Sequence, residues 1–321
     1  MSLKSLVPAA SVAIALSLSA ADHSGVKITE AADKLRVEIN GELFTEYCFQ
    51  GAPHVYFYPL IGPGGLPITR NWPMKEAEGE ERDHPHHRSL WYSHGEVNGV
   101  DFWSESAKAG KIVHDKFLEV KSGRESGIIR SANKWIAPDG EVVCTDERAF
   151  RVYNRPSNER LFDFEVTIKA GDKELVLGDT KEGSMAIRLN ETMRLKHNKE
   201  NAGKPTGHIV QNTGARDGDT WGKRAGWCDY HGPVNGKIVG VAIFDHPKNP
   251  VHPTYWHVRD YGLFAANPFG IHDFEKKPKG TGNLTVTAGK GVTFRYRFYV
   301  HEGDEKQAKV AEHYREFTSG R

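Results

Sequence analysis

The chain has 321 residues, of which 38% are hydrophobic and 10% aromatic, with 33 glycines and 16 prolines. This is enough apolar material for a large domain core. The formal net charge of +1 provides no strongly basic surface, so we do not expect nucleic acid as a partner. Cys48, Cys144 and Cys228 lie far apart in the sequence, form no metal motif, and are expected to be small buried side chains.

The first 21 residues have the pattern of a secretory signal peptide. Lys4 precedes an apolar run over 7–18, and small residues at 19–21 offer a cleavage site. The run is shorter than a comfortable membrane span. We therefore expect residues 22–321 to be exported, periplasmic or extracellular, as one domain with no integral membrane association.

The rest of the chain is predicted to form many short strands. Alternating and β-branched runs recur between turn signals such as Asn40–Gly41 and the Pro-Asp-Gly at 138–140. Only 304–317 has the composition of a helix. The predicted strands cover 26–40, 43–49, 56–60, 112–120, 127–136, 142–153, 160–169, 175–177, 184–189, 237–245, 255–258, 262–265, 283–288 and 292–300. This spacing predicts an all-β fold, a single-domain β-sandwich or barrel-like fold with a short C-terminal helix.

Between residues 83 and 103 ionisable and aromatic side chains are mixed, in the stretch D-H-P-H-H-R-S-L-W-Y-S-H-G-E-V-N-G-V-D-F-W. Such groups are costly to bury unpaired, so the stretch predicts a polar pocket with aromatic walls. We expect His86, His87 and His94 to act as acid or base. Alternatively, His84, His86 and His87 bind one divalent metal ion through their imidazoles.

Other side chains of the same stretch are candidates for substrate contacts. Arg88 carries a fork of donors that suits a carboxylate, either of a substrate uronate or of Asp83 or Asp101 within the protein. Trp91 and Trp103 offer ring faces on which a sugar can stack, although aromatic residues at strand ends are as often part of a core.

Two further segments combine acids with glycine or aromatic residues. In G-D-T-K-E-G, Asp179 and Glu182 are candidate carboxylates for acid–base chemistry and Lys181 is a candidate substrate contact. The alternative for this segment is an exposed charged turn. In W-C-D-Y, Asp229 and Tyr230 are candidate substrate contacts.

An alternating stretch towards the C-terminus predicts another pocket wall. Tyr255, His257, Arg259 and Tyr261 are spaced by two residues, so on a strand they point to one side. We expect His257 to act as acid or base, and Arg259 and Tyr261 to contact substrate. Asn267, in the N-P-F-G that follows, is a further candidate contact.

Together these blocks resemble a family of secreted bacterial proteins labelled PmoA-like. The matching features are the stretch at 83–103, D-T-K-E-G, W-C-D-Y and P-T-Y-W-H-V-R-D-Y-G-L-F-A-A-N-P-F-G, with Ser89 where the family pattern has glycine. The label refers to a methane oxygenase, whose subunits are integral membrane proteins, so we do not expect that activity here. The resemblance implies a large β-sandwich of the galactose-mutarotase type, an architecture also seen in lyases and glycosidases.

Three functions remain open from the sequence. The first is an exported carbohydrate-active enzyme that acts on a sugar or polysaccharide by histidine and carboxylate acid–base chemistry. The second is a metal-dependent enzyme with histidine ligands, and the third is a non-catalytic glycan-binding protein. The density of ionisable groups beside the aromatic residues favours the first, because a stacking platform needs few of them.

Overall fold

Two eight-stranded antiparallel sheets packed against each other form most of the protein. The structure is a computed structural model, and it describes residues 24–319. The predicted signal peptide, residues 1–21, lies outside the described residues. Within the described range the chain also forms one two-stranded sheet and two short α-helices. The predicted all-β sandwich with a short C-terminal helix is confirmed.

The regular elements follow one another along the whole described chain. In order they are β1 (Val26–Glu30), β2 (Lys34–Ile39), β3 (Glu42–Cys48), β4 (Tyr56–Leu60), β5 (Leu90–His94), β6 (Lys111–Lys121), β7 (Ser126–Ile136), β8 (Val142–Tyr153), β9 (Glu159–Ala170), β10 (Leu175–Leu177), β11 (Gly183–Arg188), β12 (His208–Gln211), β13 (Trp227–Val234), β14 (Lys237–Asp245), β15 (Tyr255–Val258), β16 (Leu263–Asn267), α1 (Ile271–Glu275), β17 (Leu284–Val286), β18 (Gly291–Glu302) and α2 (Val310–Ser319). Sheet one has the order β1-β2-β3-β4-β5-β11-β16-β15, sheet two has the order β12-β13-β14-β18-β9-β8-β7-β6, and β10 pairs with β17.

The core lies between the two sheets and is rich in aromatic side chains. Along β9, buried and half-buried residues alternate, as expected for a strand with one face on a core. Phe57 of sheet one packs on Phe150 of sheet two with ring centroids 4.2 Å apart. Phe162 and Phe298 stack at 4.7 Å. Each such buried ring contributes roughly 1.5–3 kcal/mol through loss of apolar surface from water.

The face of sheet one that points away from sheet two carries a smaller apolar cluster. Trp91, Trp103, Leu263 and the small side chains of Ala186 and Ala265 form it. The neighbouring residues on the same strands belong to the main core, so alternation places this cluster on the opposite face. It provides an apolar base on which the polar residues of the site are mounted.

The C-terminal helix begins later than the sequence predicts. Residues 305–309 form turns, with Lys309 at a positive φ of 53°, and α2 starts at Val310. Val310 packs with Trp227 and Phe244 on the outer side of sheet two. No helix within residues 24–319 is long and apolar enough to cross a membrane.

Candidate functional site

A cavity of about 510 Å³, here called the main cavity, opens on the outward face of sheet one. Its volume is within the range of about 300–1,000 Å³ that is typical of small-molecule sites. The predicted site residues that line it are His84, His86, His87, Trp103, Lys181, Glu182, His257, Arg259 and Tyr261. The structure thus brings the first, second and last predicted segments together.

A column of stacked rings forms one wall of the main cavity. Tyr261 stacks on His84 with ring centroids 5.2 Å apart, and His84 stacks on His87 at 4.6 Å. His87 in turn stacks on Trp91 at 5.3 Å. Trp91 is fully buried at the base of this column, so it supports the histidines and does not reach a substrate. The predicted substrate-contacting role of Trp91 is therefore wrong.

Two fully buried arginines hold the histidine segment, residues 84–87, in place. Arg70 and Arg188 both donate to the carboxylate of Asp83, the latter at 2.9 and 3.1 Å. Arg70 also donates to the main-chain carbonyls of Glu81, Asp83 and His84. Burial alone would raise the pKa of Asp83, but hydrogen bonds from His84 and the two guanidinium charges hold it well below its usual value. Asp83 is therefore an anion that anchors the segment.

His257 is oriented by a tryptophan that the sequence did not single out. The indole nitrogen of Trp221 donates to Nδ1 of His257 at 3.1 Å. Because an indole N–H can only donate, Nδ1 is unprotonated and the neutral ring carries its proton on Nε2. Burial, followed by the positive charges of Arg259 and Lys181, lowers the pKa of His257 to about 3. His257 therefore offers the main cavity a neutral N–H donor at pH 7.

His87 is held in the same tautomer by a different donor. Nη1 of Arg188 donates to Nδ1 of His87 at 3.1 Å, and a guanidinium is a donor only. Burial and the Arg188 charge keep the pKa of His87 well below its usual value. His87 is consequently a neutral, almost completely buried ring, better suited to supporting the wall than to accepting a proton.

His86 differs from its neighbours because neither of its ring nitrogens has a hydrogen-bond partner among residues 24–319. Its ring is half-buried and makes edge contacts with His84, His87 and Trp103. Burial, followed by the nearby His84, lowers the pKa of His86 to about 4, so the ring is neutral at pH 7. An anion bound beside it would raise this pKa towards neutrality. Of the predicted bases, His86 has the nitrogens most available to a ligand.

The buried neutral histidines predict that acidification destabilises the fold. The pKa is about 3 for His54 and His257 and about 4 for His86 and His94, against 6.5 for an ordinary histidine. Between those values the unfolded chain binds more protons than the folded one, so stability falls as the pH drops from about 6.5 to about 4. The slope is up to about 1.4 kcal/mol per pH unit for each histidine. His231, whose pKa is raised by Asp229 against the effect of burial, acts in the opposite direction.

Calorimetric melting temperatures between pH 7.5 and 4.5 test this expectation. The variant His94→Gln should show a shallower fall than the wild type, whereas His208→Gln, at an exposed position, should match it. A wild-type melting temperature that stays constant from pH 7 to pH 5 would contradict the neutral, buried state of these rings.

The arrangement of the histidine segment does not fit the predicted metal site. The rings of His84 and His87 are parallel within 5°, and lone pairs that lie in two stacked planes cannot converge on one ion. Nδ1 of His84 is bonded to Asp83, and Nδ1 of His87 to Arg188. Within the described chain no group of three or more His, Cys, Asp or Glu side chains could hold a metal ion. The structure therefore gives the metal-dependent alternative no support.

Two predicted catalytic residues serve the fold. His94 is fully buried, and its nitrogens contact the Gly178 carbonyl at 2.8 Å and the Ser184 hydroxyl at 3.3 Å. Asp179 is also buried and accepts from the main-chain nitrogens of His272 and Gly282. Each side chain thus fixes a loop behind the main cavity, which corrects their predicted catalytic roles.

Four residues predicted to contact substrate likewise form their hydrogen bonds or ion pairs within the protein. Arg88 forms a two-pronged pair with Glu105 at 2.6 and 2.8 Å, and not with Asp83 or Asp101. Asn267 donates to the carbonyls of Thr180 and Lys181 and so shapes the turn that carries Glu182.

The other two predicted contacts, Asp229 and Tyr230, lie on β13 in sheet two. Asp229 accepts from His231 at 2.7 Å and from His301 at 2.8 Å. The Tyr230 hydroxyl accepts from the main-chain nitrogen of Leu195. Their segment matched the site in composition, but its strand belongs to the opposite sheet.

The fold and the main cavity define a β-sandwich protein with a histidine-rich pocket on the outer face of one sheet. The family model DUF6807, a family of unknown function, matches residues 34–315, and the chain belongs to that family. The PmoA-like resemblance stays a prediction. No curated protein matches the chain.

Several solved structures are similar to the chain at low identity. A galactose mutarotase related enzyme from Lactobacillus acidophilus is 11% identical, with 87% of this chain and 97% of that chain covered and a TM-score of 0.32. A galactose 1-epimerase from Lactobacillus acidophilus NCFM is 9% identical over 87% and 98% of the two chains, with a TM-score of 0.41. A polysaccharide lyase is 10% identical over 90% and 34%, with a TM-score of 0.30. Likeness at this level carries no information on activity.

Proposed function

We propose that the protein is an exported enzyme that removes a proton from a carbon atom of a carboxylate-bearing sugar bound in the main cavity. Export follows from the predicted signal peptide. The choice of substrate and reaction follows from the charges, rings and free nitrogens that surround the cavity.

The proposal rests mainly on the unpaired guanidinium of Arg259. Its guanidinium has neither a hydrogen bond nor an ion pair within residues 24–319, although it is half-buried. It lies 5.6 Å from the ring centroids of both Trp221 and Tyr261. A cation held between aromatic rings without an acidic partner is suited to pair with a ligand carboxylate. After burial, Arg259 and Lys181 are the groups that lower the pKa of His257, so the guanidinium charge acts inside the cavity.

The remaining wall suits the rest of a sugar. Tyr261 is half-buried in the lining and offers aromatic surface on which the C–H face of a pyranose can pack, whereas Trp103, also in the lining, is only 2% exposed. Glu182 also lies in the lining, and its carboxylate pairs with Lys181 at 2.8 Å. Glu182 is thus available to accept hydroxyl hydrogen bonds, and Lys181 to donate them.

This arrangement favours chemistry at the carbon next to the carboxylate. Pairing of the carboxylate with Arg259 stabilises the negative charge that develops when that carbon loses its proton. His86 has the free nitrogen needed to accept the proton, and the bound anion raises its basicity. His257 donates from Nε2 to a sugar oxygen without becoming charged. Loss of this proton is the first step of either epimerisation or elimination.

A non-catalytic glycan-binding function is the second candidate. It rests on the aromatic ring of Tyr261 in the lining and requires no proton transfer.

One experiment separates the two candidates. Glucuronate, galacturonate and their disaccharides are incubated with the protein in D₂O, and loss of the proton next to the carboxylate is followed by NMR. We expect exchange with the wild-type protein, whichever product later forms. Binding without exchange would establish the non-catalytic alternative, and the absence of binding to every sugar in the panel would overturn both.

Removal of the Arg259 charge is expected to weaken uronate binding by about 10- to 100-fold in Arg259→Met, because a charge-assisted hydrogen bond contributes about 1.5–3 kcal/mol. Titration calorimetry with glucuronate and with glucose measures the effect, and affinity for glucose should change little. Lys223→Met is the control, since Lys223 is exposed and lies outside the cavity wall. An equal loss for both sugars would show that Arg259 does not bind the carboxylate.

A further inference from the structure

A second cavity adjoins the main cavity at Arg259. It has a volume of about 280 Å³, close to the lower limit for small-molecule sites. Arg259 lines both cavities. Of the two rings within 5.6 Å of its guanidinium, Tyr261 belongs to the main cavity and Trp221 to the second. The hydrogen bond from Trp221 to His257 links the two walls again.

The second cavity has a different chemical character from the first. Its apolar lining comes from Leu195, Ile209 and Val258, and Trp221 adds a half-buried aromatic ring. Asp260 also lines it, and its carboxylate has no hydrogen bond or ion pair among residues 24–319. A sugar ring matches this combination, because its C–H face packs on aromatic and aliphatic surface while its hydroxyls donate to a carboxylate.

The charges indicate which kind of sugar fits. Asp217 stands with Asp260 in the lining, and a second uronate here would face both carboxylates. In the main cavity the carboxylate of Glu182 is paired with Lys181, and that of Asp101 accepts from the Ser104 hydroxyl. Both acids are therefore already bonded, and the guanidinium of Arg259 is left without a partner. An acidic unit is therefore expected in the main cavity and a neutral unit in the second.

We infer that the second cavity is a subsite for a neutral sugar unit, and that the substrate is a glycan in which such a unit is linked directly to the uronate in the main cavity. This inference rests on the proposed function and narrows its substrate class. Arg259 stands at the junction of the two units, where it holds the carboxylate and separates the rings. Simple uronic acids fill only half of the site.

The test compares the affinities of matched sugars for the wild-type protein by titration calorimetry. The probes are glucuronate and its disaccharides with glucose, joined through β-1,2, β-1,3 and β-1,4 bonds, together with the corresponding diglucuronates. At least one glucuronosyl-glucose isomer should bind more than about tenfold more tightly than glucuronate, and more tightly than the diglucuronate of the same linkage.

Substitution of Gly218 allows a protein side chain to fill the second cavity while the main cavity stays open. It lies in the lining, and an added Cβ would meet no atom within 4 Å. Gly218→Phe should remove the advantage of the disaccharide while glucuronate binding stays within about twofold of wild type, and Gly218→Ala should change neither. Gly171→Phe is the matched control, because Gly171 is equally uncrowded and lines a different cavity. Asp260→Asn should weaken disaccharide binding alone.

The outcomes separate the subsite from the proposed function. If glucuronate binds but no disaccharide binds better, or if Gly218→Phe and Asp260→Asn both leave the preference intact, the subsite is wrong and the proposed function stands. A preference for diglucuronates would overturn the neutral character of the subsite. If no sugar binds to the wild-type protein, the proposed function fails as well.

Discussion

Replacement of Asp83 by asparagine is expected to lower the free energy of unfolding by about 3–5 kcal/mol. The substitution keeps the size of the side chain but removes the negative charge that Arg70 and Arg188 share. Both guanidinium groups are fully buried, so neither can regain water when the charge of Asp83 is lost. The remaining acid, Glu191, is more distant, at 4.0 Å from Arg70 and 3.7 Å from Arg188. Urea denaturation of the wild type and of Asp83→Asn measures the change, with a similar slope expected for both proteins.

The control for this experiment is Glu141→Gln. Glu141 pairs with Lys173 at 3.1 Å, and both side chains are largely exposed, at 61% and 83%. Solvent screens such a pair, so the control should unfold at the same urea concentration as the wild type. If Asp83→Asn also unfolds at the urea concentration of the wild type, Asp83 does not anchor the site. Because Arg70 and Arg188 hold the histidine segment through Asp83, the variant should also lose uronate binding in the temperature range where it remains folded.

Substitution of His86 by glutamine is expected to slow the exchange of the uronate proton in D₂O by about 10²- to 10⁴-fold, the usual contribution of a positioned general base. Glutamine retains a polar side chain of similar length but cannot accept the proton. The fall should appear in the rate at saturating sugar, with little change in affinity, because His86 contributes to the transition state and Arg259 to binding.

His84→Gln provides the comparison for His86. His84 lies in the same segment, but its Nδ1 is already bonded to Asp83 and its ring is stacked between Tyr261 and His87. We expect a smaller loss of rate, accompanied by weaker binding. If His86→Gln exchanges the proton as fast as the wild type, the base is another group, and Glu182 would be the next to substitute.

Strands with one buried face could be predicted from the sequence. β8 and β9 alternate regularly between buried and more exposed residues, and the sequence predicts both to within one residue of their ends. The sequence patterns do not predict β5, β12 or β13. All five residues of β5 are buried, and so are most of β13, since both faces of these strands are covered. The polar residues that they carry are satisfied by distant parts of the chain, and local periodicity does not record that.

The site can be predicted only in part, because composition marks a pocket but not the sheet that carries it. A dense cluster of histidines, or a His-Arg-Tyr alternation, marks a pocket whichever way the strands pair. The composition does not tell which sheet a segment joins, and this is why the sequence places Asp229 in the pocket although its strand lies in the other sheet. Trp221 had no local signal, because its role comes from a single contact with His257.

The pairings that build the pocket also bear on the order in which the protein folds. His94 meets Ser184 across 90 residues, and Asp83 meets Arg188 across 105. The hairpins β1–β2–β3 and β6–β7–β8, in contrast, join neighbours in sequence. Because closing a long loop costs entropy before its contacts form, we expect these hairpins to form early and the centre of sheet one late. A nascent chain that ends before β15 lacks His257 and Arg259, so ligand binding is expected only after the chain has grown past β15 and the centre of sheet one has closed.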